Sequence, residues 1–287
     1  MTPQGIDLPL RLFFFFLVFL ILAFGEVKSQ RFPLTQEKSR RWLNHFGLSF
    51  AGAILVRAFL PMAGVSVAWF ARGHHIGLFH QILLPPAVVL ALSFLNLDWA
   101  LYYQHRALHA FTPLWKFHRV HHTDMDFDIS TGLRFHFLET AFTLFIKAAV
   151  ILALGCPPAA VLLYELIYMA AILFGHANLR LASWIEKPIR LLLVTPYMHR
   201  VHHSTTRVDT NHNFGFIFSW WDRGFGTYRA KPQSGEEAGI IGLETYRDSI
   251  QTDLPNLLLQ PFMDPEQNIS LKNFKSKETA YTQGPGA

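Results

Sequence analysis

Apolar and polar positions fall in long blocks along this chain. Leu8 to Phe24 is apolar, with an unbroken run from Leu12 to Leu22. Further apolar blocks cover about Phe46 to Phe70, Leu78 to Tyr103, Phe137 to Gly155 and Ala159 to Phe174. A helix needs about 20 mostly apolar residues to cross the hydrocarbon of a bilayer, so the pattern predicts an all-α membrane bundle of four to five transmembrane helices. Only Arg11 charges the start of the first block, and Ala23-Phe24-Gly25 is a poor cleavage site, so a retained helix is expected over a signal peptide. Pro85-Pro86 predicts a kink or restart in the third block. Cys156-Pro157-Pro158 predicts the turn of a hairpin made by the last two. Lys147 and Glu165 interrupt that hairpin at equal sequence distance from Cys156, hence at similar depth, and an ion pair between them is expected.

Composition agrees: 51% of the 287 residues are hydrophobic and 27 are Phe. The net charge of +5 is spread over short loops beside apolar blocks, which points to the positive-inside bias of membrane proteins and away from nucleic acid. Lys28, Arg31, Lys38, Arg40 and Arg41 follow the first block, which keeps that loop cytoplasmic and puts the N-terminus outside. Counting crossings from there brings His105, the segment to His136, and His176 to the cytoplasmic face. The single cysteine excludes an intrachain disulfide and a cysteine-based metal site. Three regions are expected: 1–45, a transmembrane helix and basic loop; 46–248, a membrane catalytic domain; and 249–287, a polar, partly disordered tail.

The polar segments carry the candidate chemistry. His118-Arg119-Val120-His121-His122 recurs as His199-Arg200-Val201-His202-His203, and His105-Arg106-Ala107-Leu108-His109 lies just before the first copy. Eight of the fifteen histidines thus occupy three short windows. Spacings of three and four put imidazoles on one face of a helical turn, so each window can offer two or three metal ligands in one direction. This predicts a histidine-rich helical cap over the cytoplasmic end of the bundle. Ligation by nitrogen alone suits iron, zinc or copper. A catalytic site uses about three protein ligands, so so many imidazoles fit two metals better than one. Two metals with open positions suit O2 activation or metal-assisted hydrolysis. At a membrane face the natural substrate is lipid, whose chains offer C–H bonds, which favours oxidation. His176, in His176-Ala177-Asn178, is a further candidate ligand at the same face. His136 and His212 are weaker candidates, while His45, His74, His75 and His80 are expected to be non-ligands. Asp98, two helical turns before His105, is a candidate to hold a ligating imidazole in place. Asp124, Asp126 and Asp128 follow the first motif closely and are candidates to support its ligands, but a solvated acidic loop is the expectation.

With HxxxH, HxxHH and HxxHH in this order around an apolar hairpin, the sequence resembles the fatty acid hydroxylase and sterol desaturase superfamily, most like its bacterial sterol desaturase-type members. The resemblance runs from about Arg40 to Asp248. It includes Asp98 with Tyr102, Thr131-Gly132-Leu133-Arg134-Phe135-His136, His176-Ala177-Asn178, Asn213-Phe214-Gly215 and Trp221-Asp222-Arg223. It implies a membrane di-iron enzyme with ligands His105, His109, His118, His121, His122, His176, His199, His202 and His203. Asn178 and Asn213 would join Asp98 in supporting them. It further implies O2 as co-substrate, hydroxylation or desaturation of a lipid, and a separate electron donor such as a ferredoxin, cytochrome b5 or NAD(P)H reductase. A bacterial inner membrane is expected, or the endoplasmic reticulum in a eukaryote. The rivals are a zinc-dependent membrane hydrolase, for which Glu139 is the nearest general base, and a non-enzymatic haem or metal-binding membrane protein.

Overall fold

The structure, a computed structural model, describes residues 4–59, 64–233 and 240–263. Helix α1 (Gln4–Lys28) is the first apolar block. The second block is divided between α2 (Lys38–Phe59) and α3 (Val65–Gly73). Helix α4 (Pro86–Ala110) restarts at the double proline, and α6 (Phe137–Leu154) and α7 (Pro158–His176) form the expected hairpin. Pro85, His136 and Pro157 hold extended backbone just before these three helices. Between α4 and α6 lie α5 (Thr112–His122) and a short 3-10 turn, Ile129–Leu133. Helices α8 (Ser183–Leu192), α9 (Pro196–His202), α10 (Arg207–Thr210), α11 (Trp220–Gly224) and α12 (Leu254–Leu259) follow.

Among the described residues no strand forms, and α1, α4, α6 and α7 are long and apolar enough to cross a membrane. The chain is an all-α, multi-pass membrane bundle. Its core packs Leu97 and Leu101 of α4, Ile151 of α6, and Val161 and Tyr164 of α7 against Val67 and Ala68 of α3. Because α6 runs against α4 and α7, the C-terminal ends of α4 and α7 meet the N-terminal end of α6. The C-terminal end of α1 joins them, since Glu26 accepts hydrogen bonds from the backbone N–H groups of Ile129 and Asn178, both 2.7 Å.

Inside the bundle Lys147 Nζ donates to Glu165 Oε1 at 2.7 Å, the pair expected from sequence. A second cation completes the group: Arg11 Nη2 donates to Glu165 Oε2 at 2.6 Å, tying α1 to α7. Gly64, at φ 48°, lies against this carboxylate, and a Cβ there would collide with it. Glu165→Gln strands two cations at bilayer depth, whereas Lys147→Met leaves Glu165 paired with Arg11. Glu165→Gln is therefore expected to give the lower monodisperse yield in detergent chromatography, and equal yields would remove Arg11 from the group.

The acidic loop after α5 is a correction to the sequence reading. Asp124, Asp126 and Asp128 are 2%, 5% and 0% exposed, not solvated. Arg41, from α2, donates to both Asp124 oxygens at 3.1 and 2.8 Å and to Asp128 Oδ2 at 2.9 Å. Arg134 lies beside them, donating to Val120 O and Thr123 Oγ1. Burial opposes charge on Asp124, but Arg41 and then His45 and Arg134 hold its carboxyl well below the usual range. Asp126 accepts from the backbone N–H groups of Thr35 and Gln36, fixing the loop after α1. The partners are about ninety residues away in sequence, so no local pattern announces them.

The C-terminal region also packs. Leu257 of α12 is fully buried against Leu48 of α2 and Val120 of α5. Arg119 donates to the carbonyls of Gln260 and Met263. Part of the segment expected as a polar tail thus covers α5; the stretch Asn268–Ala287 lies outside the described residues.

Candidate metal centre

The histidines converge where the helix ends meet. His105 and His109 end α4, His118, His121 and His122 end α5, His176 ends α7, and α9 carries His199 and His202 with His203 just after it. They fall into two groups. His105, His109, His118, His122 and His202 form one, and His121, His176, His199 and His203 the other, with the donor atoms of each group within 4.8 Å of one another. The groups adjoin: the His122 and His203 rings stack at 4.4 Å. Each HxxHH motif therefore divides its ligands, with His118 and His122 facing one group and His121 the other.

Four imidazoles are held in a defined tautomer. The Nδ1–H of His105 donates to Phe214 O at 2.8 Å, that of His202 to His212 O at 2.8 Å, that of His176 to Ile172 O at 2.8 Å, and that of His118 to Glu139 Oε1 at 2.7 Å. A carbonyl accepts only, so the ring nitrogen facing it carries the proton, and in a neutral ring Nε2 then carries the lone pair. His105 Nε2 and His118 Nε2 nevertheless lie 3.0 Å apart. In the second group His176 Nε2 is 3.0, 3.1 and 3.3 Å from Nε2 of His121, His199 and His203. Two lone pairs cannot hydrogen-bond to each other, and one lone pair cannot serve three donors.

In the second group protons do not resolve this. Burial, then repulsion from neighbouring imidazoles, holds His121, His122, His199 and His203 well below the ordinary histidine pKa, and brings His202 to about 3. A metal cation fits the spacing: bonds of about 2.1 Å at right angles put two nitrogens about 3.0 Å apart. The buried Nε2 of His202 and of His109, with no partner among the described atoms, fit the same use. Nine imidazoles without thiolate are a donor set for iron, zinc or copper.

The other sequence candidates stand elsewhere. His136 is a helix N-cap that takes the Leu138 N–H on Nδ1 and reaches Leu258 O with Nε2, outside both groups. His212 turns its ring to Val208 O, and only its carbonyl serves the site, through His202. Asp98 accepts the Trp221 indole N–H at 2.8 Å and does not touch an imidazole among the bonds described. Asn178 pairs with the backbone of Phe32, fastening the loop after α1. Asn213 sits at φ 57°, with its side chain donating to Met198 O and Arg229 O. It is the pivot that presents the carbonyls on either side of it, His212 and Phe214, to His202 and His105.

Two supports escaped the sequence reading as such. Glu139 orients His118 across 21 residues, and its only signal was a carboxylate in the first turn of an apolar helix, where an unpaired charge is costly. Asp222 accepts the N–H groups of Phe214 and Gly215 at 2.8 and 2.9 Å, which sets the Phe214 carbonyl against His105. Two cavities flank the centre. One, of about 150 Å³, lies among the spans and is walled by Phe135, Thr140, Leu144, Tyr168 and Phe216. Phe135 stacks on His121 at 4.4 Å and Phe216 on His105 at 4.8 Å, so this cavity adjoins both groups. The other, of about 430 Å³ and more polar, reaches His109 past Trp115, Arg207 and Glu244.

Fold and site together define a membrane helical bundle with a paired histidine centre at one end. Residues 90–227, which contain all nine histidines, match the fatty acid hydroxylase family. Ornithine lipid hydroxylase OlsE of Rhizobium tropici is 32% identical over 198 residues, 68% of this chain and 58% of that protein. Alkylglycerol monooxygenase of Homo sapiens is 33% identical over 146 residues, 48% of this chain and 30% of that protein. Its counterpart in Danio rerio is 33% identical over 217 residues, 72% of this chain and 45% of that protein. The chain spans less than two thirds of the length of each of these relatives. No solved structure matches it at a significant level. The chain belongs to the fatty acid hydroxylase superfamily.

Proposed function

We propose that this chain is a membrane-bound non-haem di-iron oxygenase that hydroxylates a lipid C–H bond with O2 and two electrons from a separate donor. The observation that carries this reading is the meeting of nine imidazoles in two adjoining groups, with Nε2 atoms of facing rings 3.0 Å apart, at the end of four membrane-length helices. His105, His109, His118, His122 and His202 would hold one ion, and His121, His176, His199 and His203 the other. Such a pair, when bound, supplies activation of O2 for attack on an unactivated C–H bond.

The chain's own residues hold, orient and exclude. Glu139 and the Phe214, His212 and Ile172 carbonyls keep four imidazoles turned so that Nε2 faces inward. Phe135, Phe216 and Phe127 surround the rings and exclude water; Phe127 lies 5.2 Å from His203. A lipid chain seated in the cavity between Phe135 and Phe216 would lie against both groups. The polar cavity at His109 supports access for a donor from the aqueous side. The names of the relatives, lipid hydroxylase and monooxygenase, support hydroxylation over desaturation. The contact of Glu139 Oε1 with His118 gives that carboxylate an orienting task, which counts against the hydrolase reading that would use it as a base.

The test is iron and zinc per chain in protein purified without chelator, with Mössbauer spectra, followed by lipid extract incubated with reductant and isotopically labelled O2. About two coupled irons and label in a lipid hydroxyl are expected. Two zincs with inert lipid would favour the hydrolase, and no metal after anaerobic ferrous reconstitution would end the reading. Glu139→Gln removes the carboxylate behind His118 and is expected to weaken metal retention about 10–100-fold, the usual cost of losing such a partner. Metal titration against a competing chelator measures it, and unchanged affinity would leave Glu139 without that role.

A further inference from the structure

The sequence reading left α8 unused, and it is sharply two-sided. Trp184, Lys187, Pro188, Leu191 and Leu192 recur at spacings of three and four, so they share one face. Trp184, Leu191 and Leu192 on that face are 77%, 62% and 58% exposed. The opposite face carries Glu186, 7% exposed, which pairs with Arg31 at 3.3 Å and with Arg190, and accepts from Thr195 Oγ1 at 3.2 Å. So α8 is clamped to the protein by its polar side and presents its apolar side outward.

The apolar face does not stand alone. Ser219 Oγ and Arg223 Nη2 both donate to Arg190 O, and Ser219 N–H donates to Leu192 O, joining α8 to α11. From α11 a path of aromatic rings runs from exposed Trp220 through Trp221 to exposed Phe225 and on to Tyr103 and Trp99 on α4, with successive rings 5.9, 6.4, 5.2 and 5.0 Å apart. That path ends on the outward side of a membrane span, so the patch is continuous with surface that faces acyl chains. Trp and Tyr gather at the membrane–water boundary, and a Lys beside an apolar face reaches its charge to the headgroups.

We propose that α8, with the α11 turn, lies in the plane of the leaflet at the histidine end of the bundle, its Trp184–Leu191–Leu192 face immersed in lipid. The occupant of this face is the bilayer that holds the spans. Thr195 links the seat to the site: it bonds to Glu186 and also caps α9, which carries His199 and His202. The inference concerns the membrane seating alone and goes beyond the proposed chemistry.

Nitroxide labels at Leu191→Cys and, separately, Trp184→Cys test it in phosphatidylcholine vesicles containing the full chain. Asn211→Cys, exposed beside the polar cavity, is the aqueous reference. Cys156 is 1% exposed and stays unlabelled, which label stoichiometry of the parent chain checks. Expected is relaxation by O2 exceeding that by a water-soluble nickel chelate at both α8 positions, at a depth of about 5–10 Å, and the reverse at Asn211. Nickel-dominated relaxation at α8, as at Asn211, overturns the proposal. Dipolar broadening between labels also overturns it, by showing a second copy on this face. Two positions are used so that misfolding of one variant leaves the other to decide, and metal content plays no part in the readout.

Discussion

His176→Ala is expected to abolish turnover and release about one of two metal ions per chain while the bundle still inserts. His176 Nε2 is the hub of the second group, 3.0 to 3.3 Å from each of the other three donors, and no other side chain on α7 can replace it. The group has four imidazoles where the first has five, so it has less redundancy. Removing a ligand also leaves three buried imidazoles aimed at a hole, and should cost more metal affinity than the about 10–100-fold typical of an outer partner. Elemental analysis of the purified variant measures the loss, with helix content by circular dichroism as the control for folding. His118→Ala is the matching variant in the first group. Full metal and turnover in either would remove that histidine from the set.

Arg41→Met is expected to destabilise the fold by about 3–5 kcal/mol, the usual cost of leaving a buried charge unpaired. That is a large share of a typical total stability of about 5–15 kcal/mol. Arg41 pairs with both Asp124 and Asp128, and Asp124 begins the loop that leaves the first HxxHH motif. Losing it should loosen the end of α5 and lower metal occupancy as a secondary effect. Thermal unfolding in detergent checks this, with Arg40→Met as control. Arg40 pairs with Asp253 on the surface, its side chain 45% exposed, where screening leaves little to lose. Equal melting of the two variants would show that the buried network carries no special weight.

What could be read in advance followed from local rules. A bilayer sets the length and polarity of a crossing helix, so the spans at α1, α4, α6 and α7, the restart at Pro86 and the α6–α7 turn follow from nearest neighbours in the chain. Parity of crossings, with the second apolar block counted as one of them, put His105, His118, His176 and His199 at one face, and the structure brings their helix ends together. Equal distance from Cys156 paired Lys147 with Glu165. The second apolar block, expected as one segment, is divided into α2 and α3, and Gly64 just before α3 lies against Glu165 of another helix.

The sequence by itself determined that helices cross a membrane and that nine imidazoles gather at one face; it did not determine how they are shared or what holds them. Tertiary structure alone decided that His121 parts from His118 and His122, that Asp98 holds Trp221 and no imidazole, and that the Asp124–Asp128 loop is buried under Arg41. It alone decided that Glu139 and the carbonyls beside Asn213 fix the tautomers. The physical reason is range: hydropathy and helical period act over a few residues, whereas these partners lie tens of residues or more apart and are chosen only when helix ends pack and every buried polar group must find a counterpart.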